Sequence, residues 1–411
     1  MKLMKLNYIK TLFLSASIAG LGTFTACDNA EYQALDTHAY IDEALSGSSS
    51  KLTVQATGES STTLNIHVSN AVSTDSHFKL VVDPTILDEY NTKNGTSYIA
   101  IPEGQYTLPE DIVIKAGNYN AEASIVTLKA FSEEMVYSGE AYALPVRLES
   151  TDGNYPVMPN TGTYIILAEN IVEFSAPQFI HGANLSSPEY AANPETYSQY
   201  TVEVRFQVSD TNNRNRAVFT TSDGENRSVL LRFEDPQSPD EANGWAAHSL
   251  VQIQLHNGYV NPSHNFESNK WQHLAVTFDG ATYRIYVNGI ESGQLACSDP
   301  CLKFKGIGWF TDGDGDQSGW WRGCQILVSQ VRIWSVARNA TQIANSMTQV
   351  SPNSTGLEAY WRMDKGTTET RDGRTYTIFE DATGKGHTLE TSQPITWVDG
   401  ILSTDTATDW K

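Results

Sequence analysis

The chain has 411 residues, of which 40% are hydrophobic and 10% aromatic, so it can bury cores and cannot be wholly disordered. At about 100–200 residues per domain, this length predicts two domains. Its 27 Lys and Arg against 48 Asp and Glu give a formal net charge of −21 at pH 7. Such an acidic chain repels phosphate backbones, which excludes nucleic-acid binding as a main role and disfavours anchoring through a basic patch.

The first 27 residues have the pattern of an export signal. Three lysines precede an apolar stretch from Thr11 to Leu21 that is too short for a membrane span, and the small Ala26 stands before Cys27. The segment resembles a bacterial lipoprotein signal, which implies lipidation of Cys27; an ordinary secretory signal with an incidental cysteine is the alternative. We therefore assign 1–27 to a signal peptide and lipobox. We expect an exported protein held at the outer membrane, on the cell surface, by this lipid only.

A region of short alternating segments follows a small, polar lead segment at 28–50. Apolar residues occupy every second position in stretches such as Leu52–Ala56 and Leu64–Val68, and turn signals such as Asn94-Gly95 and Asp152-Gly153 separate the stretches. Short strands at this spacing predict a β-sandwich and argue against a parallel α/β sheet. A short helix is predicted around Ile86–Lys93.

Several motifs in this region belong together. They are Leu87–Asn91, Asn94–Tyr98, Ile114–Gly117 and Tyr142–Val146. With them, residues 35–168 resemble an Ig-like domain of unknown function that follows the lipid anchor in surface lipoproteins of glycan-foraging gut bacteria, a domain also found in front of family 18 glycosidases. The resemblance implies a spacer or platform. The residues themselves agree, because no cluster of His, Cys or paired carboxylates stands at catalytic spacing.

Two hairpin signals mark a second domain. Asp279-Gly280 and Asn288-Gly289 separate alternating strands and predict an antiparallel meander. The text from Trp271 to Gly289, followed by Ile307-Gly308 and Val331–Trp334, closely resembles a laminin-G-like, concanavalin-A-like jelly roll over 171–400. Residues 401–411 are left as a tail, and the segment 356–387 is expected to supply the closing strand of the same sandwich. The predicted fold is therefore all-β, with two β-sandwiches in series.

Most of the jelly-roll signature is expected to be structural. Its aromatic side chains lie on strand faces and are predicted to be core residues. His273 alternates with core positions, so a hydrogen-bonded packing role is favoured over that of a ligand or base. The aromatic residues in question are Trp271, Phe278, Tyr286 and Trp334.

One loop differs from the rest of the signature because it combines indole rings with carboxylates. Indole faces stack on the apolar face of sugar rings, and carboxylates accept hydrogen bonds from hydroxyls or hold a cation. We expect this loop to contact a glycan, flanked by Trp245 and Tyr259 from the loop-rich stretch 234–266. The alternative is a solvated acidic loop with Trp309 or Trp321 packed into the core. The candidate residues are Trp309, Asp312, Asp314, Asp316, Trp320 and Trp321.

Calcium is a separate possibility for the same loop. The alternation of Asp312, Asp314 and Asp316 is similar to the start of an EF-hand, but Gln317 stands where that loop needs Gly, so an EF-hand is rejected. A jelly-roll calcium site that uses these three carboxylates stays open.

Three cysteines follow the leader, so at most one disulfide can form within the mature chain apart from Cys27. Cys297 and Cys301 flank the turn-forming Ser298-Asp299-Pro300 and could be bridged in an exported protein. No second CxxC or HxxxH pair supports a zinc site.

These features predict a non-catalytic glycan-binding lipoprotein that captures carbohydrate for a neighbouring glycosidase or importer. A glycoside hydrolase is the first alternative, but the E-x-D-x-x-E triplet of jelly-roll hydrolases is absent from the sequence. The Asp312–Asp316 run also lacks the glutamate of the family 18 motif. An adhesin that binds host matrix protein is the second alternative, since both ligands would use loop aromatics and carboxylates.

Overall fold

Period-two alternation places most of the regular structure in strands. The structure, a computed structural model, describes residues 36–211, 213–234, 249–312 and 319–411. Within those ranges the strands form two β-sandwiches, each around its own apolar core. The predicted all-β architecture of two sandwiches is confirmed. No helix in these ranges is both long and apolar enough to cross a membrane.

The first sandwich contains the predicted short helix, which begins one residue earlier and ends one residue later than expected. It ends at Gly95, whose φ of 62° suits a left-handed helix cap. The alternating stretch Leu64–Val68 is not one strand, because the chain passes from one sheet to another at Asn65. The elements are a 3-10 helix (Asp42–Leu45), β1 (Ala39–Ile41), β2 (Ser49–Val54), β3 (Glu59–Leu64), β4 (Ile66–Val68), β5 (Ser76–Val82), α1 (Thr85–Asn94), β6 (Tyr98–Ala100), β7 (Tyr106–Thr107), β8 (Ile112–Ile114), β9 (Ser124–Lys129), α2 (Glu133–Tyr137), β10 (Ala141–Ser150) and β11 (Thr163–Asn170).

Three sheets enclose the first core in the described residues. The largest has the order β2-β11-β10-β5-β8, with β6 also paired to β10. It faces the smaller sheets β3-β9-β7 and β1-β4 across the apolar cluster that runs from Ala39 to Ala168.

The second sandwich begins directly after β11 and uses the rest of the chain. Its elements are β12 (Glu173–Ile180), β13 (Leu185–Ser186), α3 (Pro188–Ala192), β14 (Glu195–Thr196), β15 (Tyr200–Val208), β16 (Ala217–Ser222), β17 (Ser228–Glu234), β18 (Leu250–Leu255), β19 (Gly258–Val260), β20 (Gln272–Phe278), β21 (Thr282–Val287), β22 (Ile290–Ala296), β23 (Lys303–Phe304), β24 (Ile307–Trp309), β25 (Gln325–Trp334), α4 (Ala340–Ala344), β26 (Leu357–Trp361), β27 (Thr367–Arg371), β28 (Arg374–Phe379), β29 (Leu389–Thr391) and β30 (Thr396–Leu402).

Two large sheets face each other in this second sandwich. As far as the described residues show, one has the order β22-β21-β20-β15-β25-β12-β30, with β26 beside β25. The other has the order β19-β18-β17-β16-β24-β13-β29-β28-β27. Below, the first is called the eight-stranded sheet and the second the nine-stranded sheet. The last residues, 403–411, pack over the outside of the eight-stranded sheet, where Thr408 exchanges hydrogen bonds with Gln207.

Turn residues explain one correct and one wrong prediction of the strand arrangement. Asn288 and Gly289 have φ values of 50° and 80°, as a type I′ turn requires, and the predicted meander β20-β21-β22 is present. The segment 356–387 was expected to give one closing strand, but it gives three strands that serve both sheets. A second hairpin at Asp372-Gly373, with φ values of 51° and 76°, folds β28 back on β27.

The three cysteines that the structure describes form no disulfide. Cys297, Cys301 and Cys324 are free and buried, which corrects the bridge considered above for Cys297 and Cys301. Both side chains pack into the core of the second sandwich, and the Cys301 thiol donates to the Lys303 carbonyl. Burial raises the pKa of Cys301 to about 12, so this thiol stays protonated and inert.

A buried carboxylate lies on the outer side of the eight-stranded sheet. Glu203 of β15 is opposite Arg332 of β25, and its Oε2 lies 3.0 Å from Arg332 Nη1. Its Oε1 lies 2.5 Å from Nη1 of Arg338. Burial opposes ionisation, but the positive charges of Arg338 and then Arg332 outweigh it and hold the pKa of Glu203 well below its ordinary value.

The four predicted core aromatics are buried, and so is His273. Its Nε2 lies 3.7 Å from Glu203, beyond hydrogen-bond distance, and neither ring nitrogen has a hydrogen-bond partner in the described part of the chain. Burial lowers the pKa of His273, with Glu203 acting against it, so the ring packs in its neutral form.

Replacing Glu203 should destabilise the second sandwich strongly. We expect Glu203→Gln to lower the free energy of unfolding by about 3–5 kcal/mol, because Arg332 and Arg338 would stay buried without a counter-charge. Tryptophan fluorescence during urea unfolding measures this in one domain, since all nine tryptophans lie after residue 171. Glu267→Gln is the control: it removes an exposed ion pair with Lys270 and should leave the midpoint almost unchanged. Equal effects of the two variants would contradict the assigned role of Glu203.

Candidate functional site

Loops at one end of the second sandwich interlock through backbone contacts. We call residues 181–184, 209–216 without 212, 310–312 and 319–324 the rim. The Phe310 carbonyl accepts from the backbone N–H groups of Ala183 and Asn184, and the Asn184 side chain accepts from the Asp312 N–H at 2.7 Å. The φ value is 49° at Phe310, which a bulky side chain seldom adopts; His181 at 71° and Asn184 at 43° are of residue types that adopt positive φ more often. Such strain persists only where the surrounding contacts hold it, and it is common at functional sites.

Two of the three predicted indole ligands lie in the core. Trp309 belongs to β24 and pairs with Phe219 and Leu185, whose side chains point inward; its ring centroid lies 4.5 Å from that of Phe219. Trp321 is fully buried, and its indole N–H donates to the Ala217 carbonyl at 3.1 Å. Neither ring can stack on a sugar in this arrangement. The alternative considered for this loop, with these rings packed into the core, therefore describes both side chains.

Trp320 differs from its neighbour because its ring is 45% exposed. Its backbone is fixed: the carbonyl accepts from Arg216 Nε at 2.9 Å and from Asn213 Nδ2 at 2.8 Å. Arg216 is buried and also donates to Asp210. The exposed indole is therefore presented from a rigid base, as stacking on a ligand requires.

Of the three predicted carboxylates, only Asp312 lies in the part of the chain that the structure describes. Asp312 is buried, and its Oδ1 accepts from the Trp321 N–H at 3.4 Å. Gly319 permits this approach, since a Cβ there would lie 1.7 Å from the same oxygen. Asp314, Asp316 and Trp245 lie outside the described residues. Among the residues described, no group of three or more His, Cys, Asp or Glu could hold a metal ion, so the calcium site stays a prediction.

Tyr259 lies on a surface that the sequence-based prediction of a binding loop did not include. It is 49% exposed and pairs with Gln254, and a row of cross-strand partners continues from there over the outer face of the nine-stranded sheet. Partners in one row share a face because side chains alternate along each strand. We call this surface the outer face. The row is Tyr259, Gln254, Leu230, Thr220, Gly308, Ser186, Glu390, Ile378 and Thr367.

The outer face is flat and polar near its centre. Gly308 has no side chain, and a Cβ there would lie 3.0 Å from the Thr220 methyl carbon. A second ring, Tyr376, lies on the same face two residues from Ile378, with the Arg371 guanidinium 4.2 Å above it. Trp320 lies beyond the end of β16, where its carbonyl accepts from Arg216. The strand end at Ala217 is about 10 Å along the strand from Thr220, at roughly 3.3 Å per residue.

The carboxylates in this area are bound to arginines. Glu390 pairs with Arg371, and Glu234 lies 2.6 Å from Arg232 and 2.9 Å from Arg214. Arg232 also donates to Asn215 of the rim. Glu369, opposite Tyr376, is exposed and shares Arg371 with Glu390 at 3.8 Å. Beside these ion pairs, the face offers a ligand aromatic rings, hydroxyls and amides.

Sequence reasoning missed most of the outer face. The signal was present in Ser228–Glu234, where Val229, Leu231 and Phe233 alternate with Leu230, Arg232 and Glu234. The other half, β27 and β28, was missed because the Asp372-Gly373 hairpin was not recognised.

Comparison with known proteins agrees with this geometry. Residues 182–344 match the family model of the concanavalin A-like lectin/glucanases superfamily, and residues 35–155 match a model described as an N-terminal domain. The second sandwich is a laminin-G-like, concanavalin-A-like jelly roll. The predicted pairing of an N-terminal sandwich with this laminin-G-like domain is confirmed. A comparison with curated proteins gave no match.

Solved structures give the same fold. A candidate carbohydrate-binding protein from Bacteroides ovatus ATCC 8483 is 22% identical over 88% of this chain and 97% of that chain, with a TM-score of 0.50. EndoBT-3987 from Bacteroides thetaiotamicron, solved with a Man5GlcNAc product, is 17% identical over 32% of this chain and 31% of that chain, with a TM-score of 0.28. A heptameric SAP-like pentraxin from Limulus polyphemus is 14% identical over 44% of this chain and 78% of that chain, with a TM-score of 0.27. At 22% identity, the similarity to the B. ovatus protein indicates a shared fold and nothing more. No conclusion follows from the other two similarities, whose TM-scores are below 0.5.

The two adjacent tryptophans of the laminin-G-like domain should behave oppositely. We expect Trp321→Ala to lower the free energy of unfolding by about 3–5 kcal/mol, because it empties a core site and leaves Arg216 without the ring beneath it. Trp320→Ala should change it by about 0.5 kcal/mol or less, since the ring is half exposed. Urea unfolding followed by circular dichroism compares the two, and a large loss in Trp320→Ala would refute the assignment.

Proposed function

We propose that this protein is a non-catalytic glycan-binding protein that captures carbohydrate on the outer face and the exposed indole of the rim. One observation carries the proposal: an extended polar row crosses nine strands, with rings at 259 and 376 on the same face and Trp320 at the strand end. Rings stack on the apolar side of sugars, and the row between them supplies hydrogen-bond partners for hydroxyls. The superfamily match and the B. ovatus neighbour support this choice.

Hydrolysis is the weaker candidate for this surface. A retaining glycosidase needs two carboxylates about 5–5.5 Å apart, one of which must be able to donate a proton. On the outer face, Glu390 and Glu234 each form an ion pair with arginine, so the carboxylates there already serve a structural contact. Tyr259 and Trp320 are each about half exposed, so ring surface is open to a sugar, which fits capture better than cleavage.

The binding test uses the secreted chain, residues 28–411, on an array of neutral and acidic glycans. We expect saturable binding that Tyr259→Ala and Trp320→Ala each weaken about tenfold, since an aromatic contact contributes about 0.5–1.5 kcal/mol beyond its buried area. Tyr119→Ala is the matched control, because this ring is 58% exposed but belongs to the first sandwich. Running the array with calcium and with chelator tests Asp312, Asp314 and Asp316 as cation ligands.

Other outcomes of the array would replace the proposal. New reducing ends on a captured glycan would show a hydrolase. A blank array, together with binding to a matrix protein that survives its deglycosylation, would show an adhesin. Binding that is unchanged in both Tyr259→Ala and Trp320→Ala would remove the outer face and rim from the site.

We also propose that a lipid on Cys27 holds the protein at the outer surface, where a neighbouring glycosidase or importer could receive the captured glycan. The leader and its Ala26-Cys27 junction support this. In the native host, Cys27→Ser should move the protein from the membrane fraction to the soluble exported fraction. Protease added to intact cells should degrade the unsubstituted protein. Protection from that protease would place the anchor on the inner leaflet side instead.

A further inference from the structure

A cavity of about 560 Å³ lies between the two sandwiches, away from the outer face. Its first-domain wall comes from β2, from the turn after α1 and from the end of β11. Its second-domain wall comes from α4, from the chain between 348 and 355 and from the turn after β30. This volume is within the range of about 300–1,000 Å³ that is typical of small-molecule sites.

Direct contacts between the sandwiches bound this cavity. The Ser351 hydroxyl donates to Glu140 at 2.7 Å, and a Cβ on Gly139 would lie 2.1 Å from the Val350 carbonyl oxygen. Near α4, a Cβ on Gly95 would lie 2.7 Å from the Asn339 amide nitrogen. Since both glycines have positive φ and touch the partner sandwich, this junction is closely packed around the cavity and is not a loose gap.

The walls are rich in hydroxyls and amides. The cations of the walls are paired, since Lys51 lies 2.6 Å from Glu169 and Arg338 binds the buried Glu203, while Glu140 accepts a hydrogen bond from Ser351. Uncharged side chains therefore dominate the hydrogen-bonding capacity that faces a guest. Examples from both walls are Thr53, Ser97, Gln342, Asn345, Thr355 and Thr404.

One wall residue has an unmet hydrogen-bonding need. Trp334 lines the cavity and is buried, and its indole N–H has no acceptor in the described residues. Arg338 stacks over this ring at 4.2 Å, which fixes the indole in place. Solvent does not reach this N–H, so Trp334 contributes a fixed wall and does not offer its N–H to a guest.

We propose that this cavity is a second binding site, for a neutral di- or trisaccharide. An anion would need a free cation, and the lysine and arginine in the walls are engaged. An apolar guest would leave the hydroxyls and amides of both walls without partners. A polyhydroxylated, uncharged guest satisfies them, and it would contact both sandwiches at once. The site is separate from the outer face and does not depend on the function proposed for that surface.

The test uses the full secreted chain and five neutral trisaccharides: maltotriose, cellotriose, mannotriose, xylotriose and chitotriose. Saturation-transfer NMR detects binding, and titration gives the Kd. Asn345→Trp and Thr53→Trp fill the cavity from opposite walls, so one variant decides if the other does not fold. Thr341→Trp is the matched control, because this position lies on α4 but outside the cavity.

We expect at least one trisaccharide to bind, with affinity reduced tenfold or more in both filled variants. Thr341→Trp and Trp320→Ala should leave that affinity unchanged. Absence of binding by all five probes up to about 10 mM would overturn the cavity site. Binding that is lost in Trp320→Ala and kept in the filled variants would also overturn it, while leaving the outer-face proposal intact. Loss of trisaccharide binding only in the filled variants, together with a blank glycan array, would support the cavity site and overturn the outer-face proposal.

Discussion

The domain junction depends on the ion pairs that the buried Glu203 carboxylate forms with Arg332 and Arg338. The carboxylate holds Arg338, and Arg338 donates in turn to the Gln342 carbonyl and the Ser346 hydroxyl at the end of α4. Arg332 reaches the Ser346 carbonyl from the neighbouring strand. A helix of five residues has little stability of its own, so these contacts fix its position. Because α4 forms one wall of the cavity, a single ion pair inside the second sandwich sets the shape of the surface that meets the first.

In the nine-stranded sheet of the same sandwich, successive side chains of a strand point alternately to the core and to the outer face. In β24, Gly308 lies on the outer face while Trp309, one residue later, fills the core. In β17, Leu231 is buried while Leu230 and Arg232 point outward. A shift of one residue in register would exchange these two sets completely, so the paired strands that exclude such a shift also specify the ligand surface. The outer face is rigid for this reason, and a rigid surface loses little conformational entropy when a ligand binds.

Much of this fold was predictable from local patterns, and the errors have physical causes. Asp279-Gly280 and Asn288-Gly289 predicted the meander, because glycines at tight turns fix both register and direction. Both residues of Asn288-Gly289 have positive φ, whereas Gly280 alone does so in the first pair. The site was harder, because a Trp in a loop sequence does not reveal where its ring points. Trp320 and Trp321 are adjacent in sequence, yet one is half exposed and the other fully buried. That difference arises from Arg216, which is distant in sequence, and only the folded chain brings it beneath Trp321. The cavity was wholly outside sequence reasoning, since its two walls come from segments more than 160 residues apart.

The two surfaces offer carbohydrate different kinds of contact. The outer face is open, long and bordered by rings, so it suits one stretch of an extended polymer, whose remaining length can stay in solvent. The cavity is bounded by two domains and has room for only a short guest, so it could take fragments and not the polymer itself. A guest that contacts both walls would add its binding energy to the junction, since any ligand that prefers the closed arrangement stabilises it. Hydrogen bonds from Ser351 to Glu140 and from Gln349 to the Val136 carbonyl already join the two sandwiches, and such a contribution would add to them. The proposed capture on the outer face and the proposed short-saccharide binding in the cavity would thus be physically independent events in one chain, and the second would act on the link between its two domains.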